Sequence, residues 1–170
     1  GVQVLCLKDM GGLLAPYVAH ELVKGLKSRV PLPLHLHSHC TAGLAPMSYM
    51  MAIEAGADIL DTALSPLSQG TSQPATEAIV AALKETPYDT GLDLKLLGEI
   101  ADYFYAVRKK YAEFESPVNN QVKADILVSQ IPGGMLSNLV AQLRQQKSED
   151  KLEAVLAEMP AVRKDLGYPP

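Results

Sequence analysis

The chain has 170 residues, 48% hydrophobic and 20% charged, with a net charge of -4 at pH 7. That length suits one domain with a sizeable core, and the acidic balance argues against a nucleic-acid partner, which needs a basic face. No run of about 18 apolar residues offers a membrane span, and the opening GVQVLCLKDM lacks the basic region and cleavage site of a signal peptide. Two cysteines, Cys6 and Cys40, make no disulfide framework and fit a reduced, cytoplasmic setting.

VQVLCLKDM reads as a buried parallel strand over Val2–Leu7, with Lys8 and Asp9 at its carboxyl end. A buried strand with no lead-in is expected to have further residues upstream. After Gly11-Gly12, the spacing of Leu14, Val18, Leu22 and Leu26 predicts one apolar helix face, with Pro16 in the first turn. PLPLHLHSHC predicts a second strand over Pro33–His39. LAPMSYMMAIEAG predicts a second helix stopped by Gly56. ADILDTAL predicts a third strand over Ala57–Ala63. SPLSQGTSQ is a loop, and PATEAIVAALKET a third helix with Pro74 in its first turn. This alternation predicts βαβ units and parallel strands.

From Tyr88 the pattern becomes helical. A helix runs through DLKLLGEIADYFYAVRKKYAEF and a loop follows over Glu115–Gln121. A short apolar run leads to a Pro132-Gly133-Gly134 break, where the glycines let the chain turn sharply, and then to another helix. The last helix starts from a candidate N-cap at Ser148 and is interrupted near Pro160. Three βα units cannot close a parallel barrel, which needs eight. The first half is therefore either a small doubly wound sheet or the last part of a barrel.

The chemistry concentrates at strand ends. Residues two apart on a strand share a face, so His35, His37 and His39 point the same way. Two imidazoles at that spacing can hold one zinc, manganese, cobalt or iron ion. The alternative is a polar strand end satisfied by hydrogen bonds. His37 and His39 are nearest the strand end and are the preferred ligands. His35 lies about 7 Å deeper at roughly 3.3 Å per residue and suits a supporting role. Cys40 is out of phase and reads as a small buried or loop residue; His20, beside Glu21, reads as a surface residue. Lys8 has three readings: a bridge to Asp9 or Asp61, a catalytic amine of lowered pKa, or a carbamate that ligates a metal. Ser68, Gln69, Ser72 and Gln73 either turn the chain or bind substrate, and turning is the preferred role.

LCLKDMGG, HLHSHCTAG and GADILDTALSPLSQGTSQPATEAIVAAL, in this order, resemble the carboxyltransferase domain of biotin-dependent enzymes. TPYDTGLDLKLLGEIADYF and QIPGGMLSNLVAQL extend the resemblance, which is strongest to the oxaloacetate decarboxylase alpha subunit and nearly as strong to the carboxyltransferase subunit of pyruvate carboxylase. The resemblance implies an α/β fold: the C-terminal portion of a (β/α)8 TIM barrel, as three parallel strands with helices, followed by a mainly helical extension. Residues 1–87 would be the last three βα units and residues 88–170 the extension, incomplete here. It also implies a divalent metal, zinc before manganese or cobalt, held by Lys8 as a carbamate and by His37 and His39. Lys8 is thereby the candidate catalytic residue as well. The family's fourth ligand, an aspartate, has no counterpart here, and its proton-shuttling threonine would lie beyond the end. The chain alone is therefore expected to be inactive.

The implied activity moves a carboxyl group between oxaloacetate or pyruvate and biotin. The implied partners are a separate biotin carrier domain, the small keto acid, further copies of the chain, and membrane-embedded pump subunits that would tether it to the inner membrane. Two rivals stand beside this reading. One is a metal-dependent lyase or aldolase-type barrel, which shares the paired histidines but lacks the Pro-Gly-Gly extension. The other is an assembly domain that pairs through its later helices, with the histidines as surface decoration.

Overall fold

Alternation along the strands decides which way the sheet faces. The structure is a computed structural model and describes residues 1–115, 121–124, 126–129 and 133–167. In β2 (Leu34–Ser38) Leu34, Leu36 and Ser38 are buried, while His35 and His37 between them are half-buried. In β1 (Leu5–Asp9) Leu5, Leu7 and Asp9 are half-buried, and Cys6 and Lys8 are exposed. The two strands pair in parallel with Cys6 beside His35 and Lys8 beside His37. Register partners on neighbouring strands share a face, so one side of the sheet is leucine and the other carries the reactive side chains. Among the described residues the sheet has three parallel strands in the order β1-β2-β3, with β3 at Ile59–Leu60.

The leucine face is covered by two helices, α1 (Pro16–Lys27) and α2 (Ala45–Glu54). Ala19, Val23, Leu34, Leu36, Tyr49, Ala52 and Ile53 form the core with Ile79 and Leu83 of α3 (Thr76–Leu83). Burial of each leucine contributes about 1.5–3 kcal/mol. Pro16 sits in the first turn of α1 and Gly56 follows α2 with a positive φ of 101°, as expected. The buried stripe of α1 is displaced from the expected one. Ala19 and Val23 are buried, whereas Val18 and Leu22 are exposed. Val18 and Leu22 instead line an apolar groove of about 420 Å³, with Leu7, Leu13 and Leu14, along the edge of β1. The helix lays Ala19 and Val23 against the sheet and turns Val18 and Leu22 to its flank.

Strand boundaries also differ from the sequence reading. β1 begins three residues late and continues through Lys8 and Asp9, because its partner supplies a ladder only from Leu34 onward. β3 is two residues rather than seven. Asp61 N–H still donates to Leu36 O at 3.1 Å. The next bond is diverted: Ser38 N–H donates to the Tyr49 hydroxyl at 2.9 Å, and that hydroxyl donates to Asp61 O at 2.8 Å. A buried phenol wedged between the strands thus replaces a direct ladder bond and ends the pairing. Ala63 then forms an isolated bridge with Ala75, closing the loop between them.

Pro74 precedes α3 rather than opening it, and its carbonyl accepts from Ala63 N–H. α4 (Leu94–Lys109) is capped by Asp93, whose carboxylate accepts from Lys95 and Leu96 N–H. α5 (Ile126–Ser129), α6 (Gly133–Gln145) and α7 (Leu152–Asp165) follow. Gly133 and Gly134 begin α6, and α7 runs through Pro160 without interruption. Losing one N–H donor costs a helix one bond but does not by itself end it. Ser148 precedes a single 3-10 turn and makes no side-chain cap. Residues 116–120 of the expected loop, and Pro132, lie outside the described residues.

Candidate metal centre

The site forms where β1, β2 and β3 deliver their open-face side chains to one end of the sheet. Asp9 O accepts from His39 N–H at 3.2 Å and keeps the ends of β1 and β2 together. Asp9 itself points to the covered side, where its carboxylate accepts from Leu13 N–H, Leu14 N–H and the Ser38 hydroxyl. It holds the turn into α1 and serves as no bridge to Lys8. Asp61 is not that bridge either. Among the described residues, Lys8 is in no ion pair.

Asp61 instead binds two histidines. His35 Nε2 lies 2.7 Å from Asp61 Oδ1, and His37 Nδ1 lies 2.7 Å from Asp61 Oδ2. Partial burial raises the Asp61 carboxyl's pKa, but the hydrogen bonds from His37 and His35 outweigh it and hold the group below its ordinary value. His39 Nδ1 lies 2.6 Å from the carbonyl oxygen of Thr71 in the loop between β3 and α3. These partners fix where the ring protons are. An ionised carboxylate and a carbonyl only accept, so Nδ1 carries hydrogen in both His37 and His39. In each neutral ring the lone pair is then on Nε2.

The two Nε2 atoms face each other at 3.0 Å. Two bare lone pairs at that distance repel unless a proton or a cation lies between them. Two nitrogens sharing an ion at about 2.0–2.1 Å each must lie within roughly 4.2 Å, and this pair does. Gln73 Nε2 approaches His39 Nε2 at 3.4 Å, while its Oε1 faces the Ser72 hydroxyl at 3.3 Å. An amide donor at that nitrogen is compatible with its accepting. The donor set therefore fits a divalent ion of borderline character. Among the described residues no three His, Cys, Asp or Glu side chains cluster around one point. The chain's contribution is two imidazoles, with Lys8 beside His37 in register.

The remaining sequence candidates fall into place. Cys40 is fully buried, and burial pushes its thiol up to about 11. It is a packed residue. His20 pairs with Glu21 at 3.0 Å on the outer side of α1. Ser68, Gln69 and Ser72 turn the loop: Gln69 adopts a φ of 70°, and its N–H donates to Gln73 O at 2.9 Å. The loop also reaches the site, because Cys40 N–H donates to Ser72 O at 2.7 Å and Thr71 holds His39. Sequence reasoning assigned no role to Thr71 and considered Asp61 only as a partner for Lys8. The available signal was its position two residues after Ile59, the register partner of His35. Each of the three rings is held by a named acceptor, as a polar strand end satisfied by hydrogen bonds also would be.

Three parallel βα units with an imidazole pair at the strand ends define the class: a segment of a parallel α/β barrel. The HMGL-like family model matches residues 1–104, and a conserved carboxylase domain matches residues 126–170. The chain belongs to the HMGL-like family. It is 62% identical over 170 residues to a pyruvate carboxylase subunit from Methanocaldococcus jannaschii, covering 100% of this chain and 30% of that one. It is 45% identical over 172 residues to the methylmalonyl-CoA carboxyltransferase 5S subunit of Propionibacterium freudenreichii subsp. shermanii, covering 100% and 34%. The carboxyl transferase domain of Rhizobium etli pyruvate carboxylase, solved with pyruvate, superposes with a TM-score of 0.85 at 36% identity. That match covers 98% of this chain and 28% of that one. The chain thus spans about a third of the length of these relatives. The α/β fold with three parallel strands is that of the carboxyltransferase barrels. The carboxylase match lies over the later helices, α5 to α7. No helix among the described residues is long and apolar enough to cross a membrane.

Proposed function

We propose that the protein containing this chain transfers a carboxyl group between a short keto acid, oxaloacetate or pyruvate, and biotin carried on a separate domain. Residues 1–87 are the last three barrel units of that enzyme, and residues 88–170 belong to its helical extension. The observation that carries the reading is the pair of Nε2 atoms converging at 3.0 Å, with Lys8 the register neighbour of His37. Names among the relatives favour a carboxylase over a sodium-pumping decarboxylase, and so favour pyruvate as the acceptor. Further copies of the chain would be partners in either case.

His37 and His39 hold a divalent ion, zinc before manganese or cobalt. When bound, the ion supplies Lewis acidity toward the keto acid. Lys8 becomes an oxygen donor only after its neutral amine adds to carbon dioxide. A C–N bond forms, a proton leaves to solvent, and the resulting carbamate can face the same ion as His37. In the transfer itself, the bond between the keto acid's terminal carboxyl and its methylene breaks, the carboxyl bonds to biotin N1, and the N1 proton passes to the methylene carbon. This chain's residues orient the reactants: the loop carrying Thr71 and Gln73 fixes His39 and borders the space above the imidazoles.

The test uses the intact protein with oxaloacetate and biocytin. Pyruvate formation that depends on biocytin and falls to background in Lys8→Ala and in His37→Ala supports the reading. Undiminished turnover in both variants contradicts the site. Biocytin-independent cleavage would favour the lyase-type alternative.

A further inference from the structure

We propose that Asp61 is a positioning residue that sets the tautomer of His37, and that His35 is present to hold Asp61 in the orientation this requires. The inference rests on the metal reading above but concerns residues outside the ligand set.

The geometry is a relay across β2 and β3. Asp61 Oδ1 accepts from His35 Nε2 and Oδ2 accepts from His37 Nδ1, each at 2.7 Å. One group must therefore receive two N–H donors at once, and a carboxylate does so through both oxygens. His37 is left with a bare Nε2 facing His39 Nε2 at 3.0 Å. His35 has its Nε2 committed to Asp61, so it cannot offer that nitrogen to the ion. The third histidine of the run thereby gains a function. It occupies one oxygen and keeps the other aimed at His37. Tyr49 contributes at the backbone, because its hydroxyl bonds Asp61 O and fixes the residue against β2. Ligating imidazoles commonly depend on such an outer acceptor, and its loss weakens metal affinity about 10–100-fold.

An amide at position 61 exposes the logic. Asparagine has one accepting oxygen and one donating nitrogen, so it can satisfy only one of the two imidazole N–H groups. If its nitrogen faces His37, that ring must move its proton to Nε2 and can no longer ligate through it. Removing the competing ring frees the amide oxygen for His37. The combination of Asp61→Asn with His35→Ala should therefore bind metal more tightly than Asp61→Asn alone, an order a purely structural role would not produce.

The experiment measures Zn2+ affinity of the metal-stripped intact protein by chelator competition. The relay predicts about 10–100-fold weaker binding in Asp61→Asn and recovery of most of that loss in the double variant. Asp61→Asn within about twofold of the parent, or a double variant no tighter than the single one, overturns it. Nitrogen-15 shifts of the imidazoles in the unmutated metal-free protein give a test that needs no variant. The relay predicts hydrogen on Nδ1 of His37, and hydrogen on its Nε2 with a bare Nδ1 overturns it. If His37→Ala with His39→Ala leaves bound metal unchanged, the metal reading fails, while the nitrogen shifts still decide the relay.

Discussion

Gly12 lacks a side chain for a reason found at His39. It adopts a φ of 65°, and a Cβ there would stand 2.3 Å from His39 O and 3.2 Å from Thr41 N. Backbone on that side cannot yield without moving the chain at His39 to Thr41. Gly12→Ala should therefore cost about 2 kcal/mol or more in urea unfolding, and a cost under about 0.5 kcal/mol would show that the turn is free to shift. At this scale the sequence spoke unevenly. The alternation of His35, His37 and His39 predicted a shared face directly. Burial of Cys40 followed from its being one residue out of phase. The partner of His37 was not legible, because Asp61 is 24 residues away and its reach depends on the register of β2 with β3. The carbonyl of Thr71 was invisible for the same reason, since any residue could supply it at the right place in the loop.

Among the elements, β3 shows what local pattern misses. ADILDTAL has the apolar content of a seven-residue strand, yet pairing stops after Leu60. Tyr49, on α2, inserts its hydroxyl between Ser38 N–H and Asp61 O. A helix residue thus decides where a strand ends, which no reading of the strand itself contains. Tyr49→Phe should leave the Ser38 donor and the Asp61 acceptor unsatisfied in a buried site and cost about 1–3 kcal/mol. A crystal structure of that variant should show Asp61 displaced from His37. Unchanged stability and an unchanged Asp61–His37 contact would mean that the strands close directly without the phenol. α1 errs in the other direction. Its spacing correctly predicts a helix, but the helix's rotation against the sheet, which local spacing does not set, buries Ala19 and Val23 rather than Val18 and Leu22. Pro160 marks a helix residue rather than a boundary, because α7 keeps its remaining ladder on both sides.

In the molecule as a whole, carboxylates join elements that sequence places far apart. Asp58, just before β3, accepts from Lys27 Nζ at 2.8 Å and from Leu34 N–H at 2.7 Å, joining α1, β2 and β3. The Lys27 hydrogen bond first, and the Leu34 amide second, hold its carboxyl below the ordinary value. The unfolded chain therefore takes up this proton at higher pH than the folded one. The stabilisation is complete above the unfolded pKa of about 3.9 and is lost as pH falls through the lower folded value. Asp61 and Asp89 are lowered too and act in the same direction. Asp58→Asn should reduce Tm at pH 7, and the gap to the parent should narrow by about pH 2–3. A gap that stays constant across that range would exclude an ionic contribution. Strand order, helix order and the helical second half were legible from the sequence because each rests on local periodicity. The cross-links that turn them into a site were not, because they join residues 24 to 34 positions apart.

One cation shared by His37 and His39, with Lys8 at its side, is the claim on which the functional reading depends. Crystals of the intact protein, measured at the absorption edge of the bound metal, test it most directly. The account predicts an anomalous peak about 2.0–2.2 Å from Nε2 of both His37 and His39, with density extended beyond the Lys8 amine toward the same peak. A peak elsewhere, or two imidazoles turned so that Nε2 carries hydrogen toward other partners, would contradict it.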